Sequence, residues 1–190
     1  YTLDGSEPGP DDPLYTGPLT LDRSTVVTAR SFAGDGRAGG ATSATFERVA
    51  ATRPPEADAA GLAPGLAYAY YEGEWSRVPD FTQLTPVETG TTPQFGLAER
   101  NRDDLLGFRF DGYVEVPREG VYTFYTESDD GSKLYIGDRL VVDNDGFHGM
   151  AEQRGQVALQ AGRHPITVTF FEGLNDHGLV VRYAGPGIEK

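Results

Sequence analysis

Gly120-Val121-Tyr122-Thr123-Phe124-Tyr125-Thr126-Glu127-Ser128-Asp129-Asp130-Gly131-Ser132-Lys133-Leu134-Tyr135-Ile136-Gly137-Asp138 is the stretch that decides the fold class. Val121 to Tyr125 puts large side chains on both sides of an extended chain. A strand in a closed barrel or between two sheets has that composition. Leu134 and Ile136 alternate with polar neighbours. Asp130-Gly131 and Gly137-Asp138 are hairpin-type dipeptides. Outward from here the pattern repeats. Asp111-Gly112 and Asp145-Gly146 carry the same turn signal, and Pro117 and Gly120 bracket a further turn. Ile166, Val168 and Phe170 alternate, as do Leu179, Val181 and Tyr183. No apolar stripe with helical spacing lasts three turns. The chain reads as all-β, with about eight strands over residues 65–190 arranged as a sandwich or distorted barrel.

Residues 1–49 carry weaker strand signals. Tyr1 to Leu3 reads as a strand stub, Ser24 to Phe32 as a strand, and Thr42 to Val49 as another. Residues 50–64 include three prolines and no hydrophobic period, which is linker composition. The chain opens mid-pattern at Tyr1-Thr2-Leu3-Asp4-Gly5, and a longer parent protein is expected around it.

Composition removes several classes of function. Acidic residues outnumber basic ones 29 to 16, a net charge of −13, and such a chain repels phosphate backbones. Nucleic acid is excluded as an expected partner. No apolar run approaches the roughly 20 residues that cross a bilayer as a helix. The absence of cysteine removes disulfides, thiolate metal sites and cysteine nucleophiles. Three histidines, His148, His164 and His177, lie far apart in sequence. There is no G-x-S-x-G elbow and no phosphate-binding glycine loop, so no catalytic residue is expected.

From Leu66 onward the chain resembles the protective-antigen-type fourteen-kilodalton (PA-14) domain, a lectin-like β-barrel of bacterial toxins, glycosidases and yeast flocculins. The resemblance rests on Gly65-Leu66-Ala67-Tyr68-Ala69-Tyr70-Tyr71, Phe108 to Val116, Gly120 to Phe124, Ser128 to Ile136, Val142 to Gly149, Leu159 to Ile166 and Phe170-Phe171-Glu172. Residues 1–49 are similar to a truncated immunoglobulin-like, fibronectin-associated domain, on Tyr1 to Pro8, Tyr15 to Pro18 and Ser24 to Phe32. The order of the two is similar to the C-terminal region of bacterial β-hexosaminidases, the family-twenty glycoside hydrolases. The expected fold is therefore a truncated immunoglobulin-like β-sandwich followed by a lectin-like β-sandwich or barrel.

Adjacent carboxylates such as Asp129 and Asp130 normally point to opposite sides of a strand. A cis peptide between them would bring both to one side. In lectin-like members of the resembled family such a cis Asp-Asp pair binds Ca²⁺, which in turn takes sugar hydroxyls. Ca²⁺ wants 6–8 oxygens, and the family draws the remainder from a loop near the C-terminus. The corresponding loop is Glu172-Gly173-Leu174-Asn175-Asp176-His177-Gly178. The resemblance thus implies Asp129, Asp130, Asn175 and Asp176 as metal ligands, with Asp129, Asp130, Asn175, Phe147 and His148 at the sugar. Asp143-Asn144-Asp145-Gly146 reads as a turn whose side chains bond local backbone amides. Trp75, the sole tryptophan, reads as a cap on the core, with a sugar platform as its alternative.

The function implied is a non-catalytic, calcium-dependent carbohydrate-binding module of a secreted, periplasmic or cell-surface glycoside hydrolase. Its partners would be a polysaccharide and the catalytic domain of the parent chain. The competing expectation is an accessory module that shapes a neighbouring active site without binding sugar itself.

Overall fold

Alternating side chains and short turns build antiparallel strands throughout the computed structural model, which describes residues 1–55 and 63–190. The chain divides into two units between Ala50 and Ala51. In the first, β1 (Thr25–Ala29) pairs with β2 (Thr42–Phe46). Single bridges join Thr2 to Thr28 and Asp4 to Val26. β1 is shorter than the Ser24 to Phe32 expected. Beyond its C-terminal end the chain pairs again only through the single bridge between Phe32 and Ala38, beside which the Arg30 guanidinium donates to the Gly39 carbonyl at 2.7 Å.

The second unit contains nine strands among the described residues. They are β3 (Leu66–Glu72), β4 (Glu88–Thr92), β5 (Leu106–Val116), β6 (Gly120–Asp129), β7 (Ser132–Ile136), β8 (Arg139–Asn144), β9 (Ala151–Leu159), β10 (Gly162–Glu172) and β11 (Gly178–Ala184). A six-stranded sheet runs β4-β3-β5-β10-β7-β8, and a three-stranded sheet runs β11-β6-β9. Thr52 extends this unit into the stretch read as linker. Its N–H donates to the Ala158 carbonyl at 2.8 Å, and its own carbonyl accepts from Gln160 at 2.9 Å. The rest of that linker, residues 56–62, lies outside the described residues.

The core lies between the two sheets. Tyr70, Phe108, Phe110, Leu134, Val168 and Phe170 face it from the larger sheet, and Tyr122, Phe124 and Leu159 from the smaller. Phe108 and Phe110 stack at 5.2 Å between ring centres. Among the described residues no helix is long and apolar enough to cross a membrane.

Two local expectations are corrected. Asp111-Gly112 is not a turn. It lies inside β5, with Gly112 opposite Ile166. A Cβ at Gly112 would sit 2.5 Å from Leu66 Cδ2, so the glycine answers a packing demand from β3. β6 also does not bury both faces. Tyr122, Phe124, Thr126 and Ser128 are buried, Val121 is exposed, and Thr123 and Tyr125 are half-buried.

Candidate functional site

Leu106, the first residue of β5, stands opposite Glu72 of β3 on one side and Glu172 of β10 on the other. That register carries the chain leaving β3 and the loop leaving β10 to the same end of the sandwich. β6 delivers Asp129 to this end, and the tight link to β7 follows. The Asp129–Asp130 peptide is cis. The link is pinned from below by buried hydroxyls. Ser128 Oγ and Ser132 Oγ are 2.7 Å apart, and Asn144 Nδ2 donates to Ser128 Oγ at 3.1 Å.

Asp130 is almost fully buried and holds three strands of chain together. Its Oδ1 accepts from the His148 N–H and its Oδ2 from the Gly173 N–H, each at 3.0 Å. Its own N–H donates to Glu172 Oε2 at 3.1 Å. Glu172 is fully buried, and its other oxygen, Oε1, has no partner. One carboxylate oxygen from each of Asp129, Asp130 and Glu172 lies within 4.8 Å of the others. None of the salt bridges among the described residues reaches any of the three.

The electrostatics follow from that crowding. Burial, then the carboxylates of Asp130 and Asp129, push the Glu172 carboxyl from 4.5 up to about 8. Burial, then Asp130 and Asp176, raise Asp129 as well. Buried anions this close demand a proton or a cation between them. The unpartnered Glu172 oxygen is an acceptor of the kind that hard, oxygen-seeking ions take. The residues could therefore hold a metal ion of the kind that the resemblance implied, with Glu172 as an addition.

Asp129 and Asp130 open into a cleft of about 590 Å³, which Trp75, Phe147, Leu174 and Asn175 also line. Asp176 and His148 border the same cleft. Asn175 is exposed, has φ of 89°, and donates its N–H to Asp104 Oδ1 at 3.0 Å. Asp176 lies outside the close carboxylate trio but near enough to act on Asp129. Phe147 is 63% exposed and meets Phe171 edge-on at 5.6 Å. The His148 ring does not turn to the cleft with a free nitrogen. Its Nδ1 and Nε2 each lie 3.0 Å from a backbone carbonyl, those of Gly149 and Asn144.

Sequence reasoning missed Glu172 as a site residue, although the signal was present. Ile166, Val168 and Phe170 point into the core, and a period of two carries the next inward position to Glu172. Trp75, read as a core cap, is only half-buried and lines the cleft. In the 143–146 segment Asp143 bonds locally, accepting from the Asp145 N–H at 3.3 Å. Asp145 instead accepts from the Val78 N–H at 2.7 Å and pairs with Lys133 at 2.9 Å.

Known proteins match both parts of the chain. The family model described as chitobiase/beta-hexosaminidase C-terminal domain matches residues 1–45. A beta-hexosaminidase of Porphyromonas gingivalis is 29% identical over 175 residues, covering 87% of this chain and 22% of that protein. The chain thus spans about a fifth of that relative's length. Among solved structures, the PA14 domain of an antifreeze protein superposes with a TM-score of 0.56 at 17% identity, covering 70% of this chain and 89% of that one. A PA14 sugar-binding domain from an RTX adhesin gives 0.55 at 14% identity, covering 65% and 90%. These likenesses establish a shared fold. The PA14 domain model matches residues 62–190, about two thirds of the sequence, and the chain belongs to the PA14 domain family.

Proposed function

We propose that this chain is a non-catalytic, calcium-dependent carbohydrate-binding module of a secreted glycoside hydrolase. The observation that carries the reading is the trio Asp129, Asp130 and Glu172, in which Asp129 and Asp130 line a cleft with aromatic walls and Glu172, with one oxygen unpartnered, is buried beside them. Asp129, Glu172 and the spare lone pairs of Asp130 would hold the ion. Asn175, Asp176 and loop carbonyls are at hand to complete its oxygen shell. The ion would supply a Lewis-acidic centre for sugar hydroxyls. The sugar-binding adhesin domain and the beta-hexosaminidase relative support a polysaccharide partner and a hydrolase parent.

Geometry also argues against hydrolysis at this trio. Glycosidase carboxyl pairs stand roughly 5–10 Å apart, with the sugar between them. These carboxylates are drawn within 4.8 Å, and Asp130 is already engaged by two N–H donors.

The test is calorimetric titration with Ca²⁺, then with methyl pyranosides and chitin-derived oligosaccharides in calcium and in chelator. Saturable calcium heat and sugar binding that disappears in chelator are expected, without glycoside hydrolysis. A protein with no calcium heat and no thermal shift at millimolar Ca²⁺ would refute the reading and favour the accessory module that shapes a neighbouring active site.

A further inference from the structure

Trp75 sits three residues beyond β3 and is the chain's single tryptophan. Its indole is seated on bare backbone. A Cβ placed on Gly73 would stand 2.5 Å from Cζ2 and 2.8 Å from Cη2 of the ring, so any side chain there would displace it. Phe81 meets the indole edge-on, 6.0 Å away at an interplanar angle of 71°. Two supports therefore fix a half-exposed ring at the cleft wall.

The ring is also fixed relative to the acidic floor. The Gly73 N–H donates to the Leu105 carbonyl at 2.9 Å, and the Leu105 N–H donates to the Gly173 carbonyl at 2.8 Å. The Gly173 N–H then reaches Asp130 Oδ2 at 3.0 Å. Two backbone hydrogen bonds and one from backbone to side chain thus connect the seat of the indole to a carboxylate of the trio. The same cleft carries Phe147, 63% exposed, and Leu174, 61% exposed. Phe147 is held by Gly173, where an added Cβ would meet its Cε1 at 2.6 Å. The cleft therefore has a charged floor and an apolar rim, fixed to each other by main chain.

A rim of exposed rings around anions suits a ligand with two kinds of surface. A pyranoside has both, with hydroxyls along its edge and an apolar C–H face. We propose that Trp75 is the stacking platform of the cleft, taking the C–H face of a pyranoside whose hydroxyl edge is turned to the carboxylate floor. This rests on the carbohydrate reading above and adds a half of the site that does not depend on the ion.

The single tryptophan makes the test direct. The full chain is titrated with methyl pyranosides and triacetylchitotriose in calcium, followed by calorimetry and by its intrinsic fluorescence. Sugar that binds by calorimetry should shift or quench the emission. Trp75→Ala should weaken sugar at least about fivefold while leaving the calcium dissociation constant within about twofold of the parent, and Trp75→Phe should recover most of the loss. Gly73→Ala, which moves the indole without altering it, should reproduce the loss. Sugar binding that leaves the emission unchanged, or that survives Trp75→Ala, overturns the platform while the carbohydrate reading stands. A wild-type protein that binds calcium and none of the sugars overturns the carbohydrate reading, and the platform with it.

Discussion

Glu172→Gln separates the two demands placed on the buried trio. The carboxyl leaves 4.5 for about 8 on folding, because it is buried beside Asp130 and Asp129. At pH 7, without metal, the folded protein must take up a proton that the unfolded chain does not hold. Moving from 4.5 to 7 costs about 3 kcal/mol. The direction follows from linkage. A raised carboxyl binds its proton more tightly in the folded state, so its contribution is fully present below 4.5 and is lost as pH rises through about 8. Glutamine needs no proton. Its oxygen can keep the 3.1 Å bond from the Asp130 N–H, and its amide can donate where Oε1 has no partner. In chelator at pH 7, Glu172→Gln should therefore melt higher, by up to about 10 °C for a unit of this size. Its stability should also lose the decline between pH 4.5 and 8. In calcium the advantage should shrink. The variant should bind Ca²⁺ at least about tenfold more weakly, about 1.4 kcal/mol, and gain less from its addition. Scanning calorimetry across pH, with and without calcium, measures both effects. A variant that in chelator is no more stable than wild type and keeps the same pH slope would refute the reasoning.

Other substitutions probe the surroundings of the trio. Asp129→Asn should reduce calcium affinity at least about tenfold by titration calorimetry. Asp145→Asn, which loses its charge pair with Lys133 beside the Val78 N–H, should lower stability by about 1–3 kcal/mol and leave calcium affinity in place. At Gly155 a Cβ would fall 1.6 Å from the Val141 carbonyl oxygen of β8. Gly155→Ala should therefore cost about 3 kcal/mol or more in denaturant unfolding, or prevent folding. Burial works against a charged His148 ring. The carbonyls of Asn144 and Gly149 and the carboxylates of Asp130 and Asp129 outweigh it and raise the ring above 6.5. In chelator its stabilisation should be present below 6.5 and lost as pH rises through the folded value, and saturating calcium should pull that value down, both read by NMR of the imidazole.

The strands around residues 120–138, 166–172 and 179–183 were legible because apolar side chains alternate along them; burial follows that alternation in β6 and β7, while residues 168–172 of β10 are buried on both faces. Asp111-Gly112 misled because a glycine required by Leu66 packing looks, in sequence, like a glycine required by a turn. Val121 to Tyr125 misled because Tyr125 is outward and has Lys190 over its ring at 4.1 Å, a contact from the far end of the chain. The Asp pair was legible through the family resemblance. Trp75 was legible only as an alternative to a core cap, because nothing local brings it to the carboxylates. Its position depends on β5 lying between β3 and β10, with Leu106 opposite both Glu72 and Glu172. Long-range register of this kind leaves no mark on a window of sequence.

The strand order has a consequence for synthesis. β10 comes next to last in the chain yet lies in the interior of the six-stranded sheet, between β5 and β7. A growing polypeptide can assemble β4-β3-β5 on one side and β7-β8 on the other, but the two halves share no neighbouring strand until β10 has been added. Until then β5 and β7 each present an open edge, and pairings across such distances in sequence form slowly. Glu172 is the last residue of the strand that fills the gap. The carboxylate trio is therefore completed by the same strand that joins the two halves. A chain cut before Gly162 has neither the middle of the sheet nor the Glu172 carboxylate that completes the trio with Asp129 and Asp130.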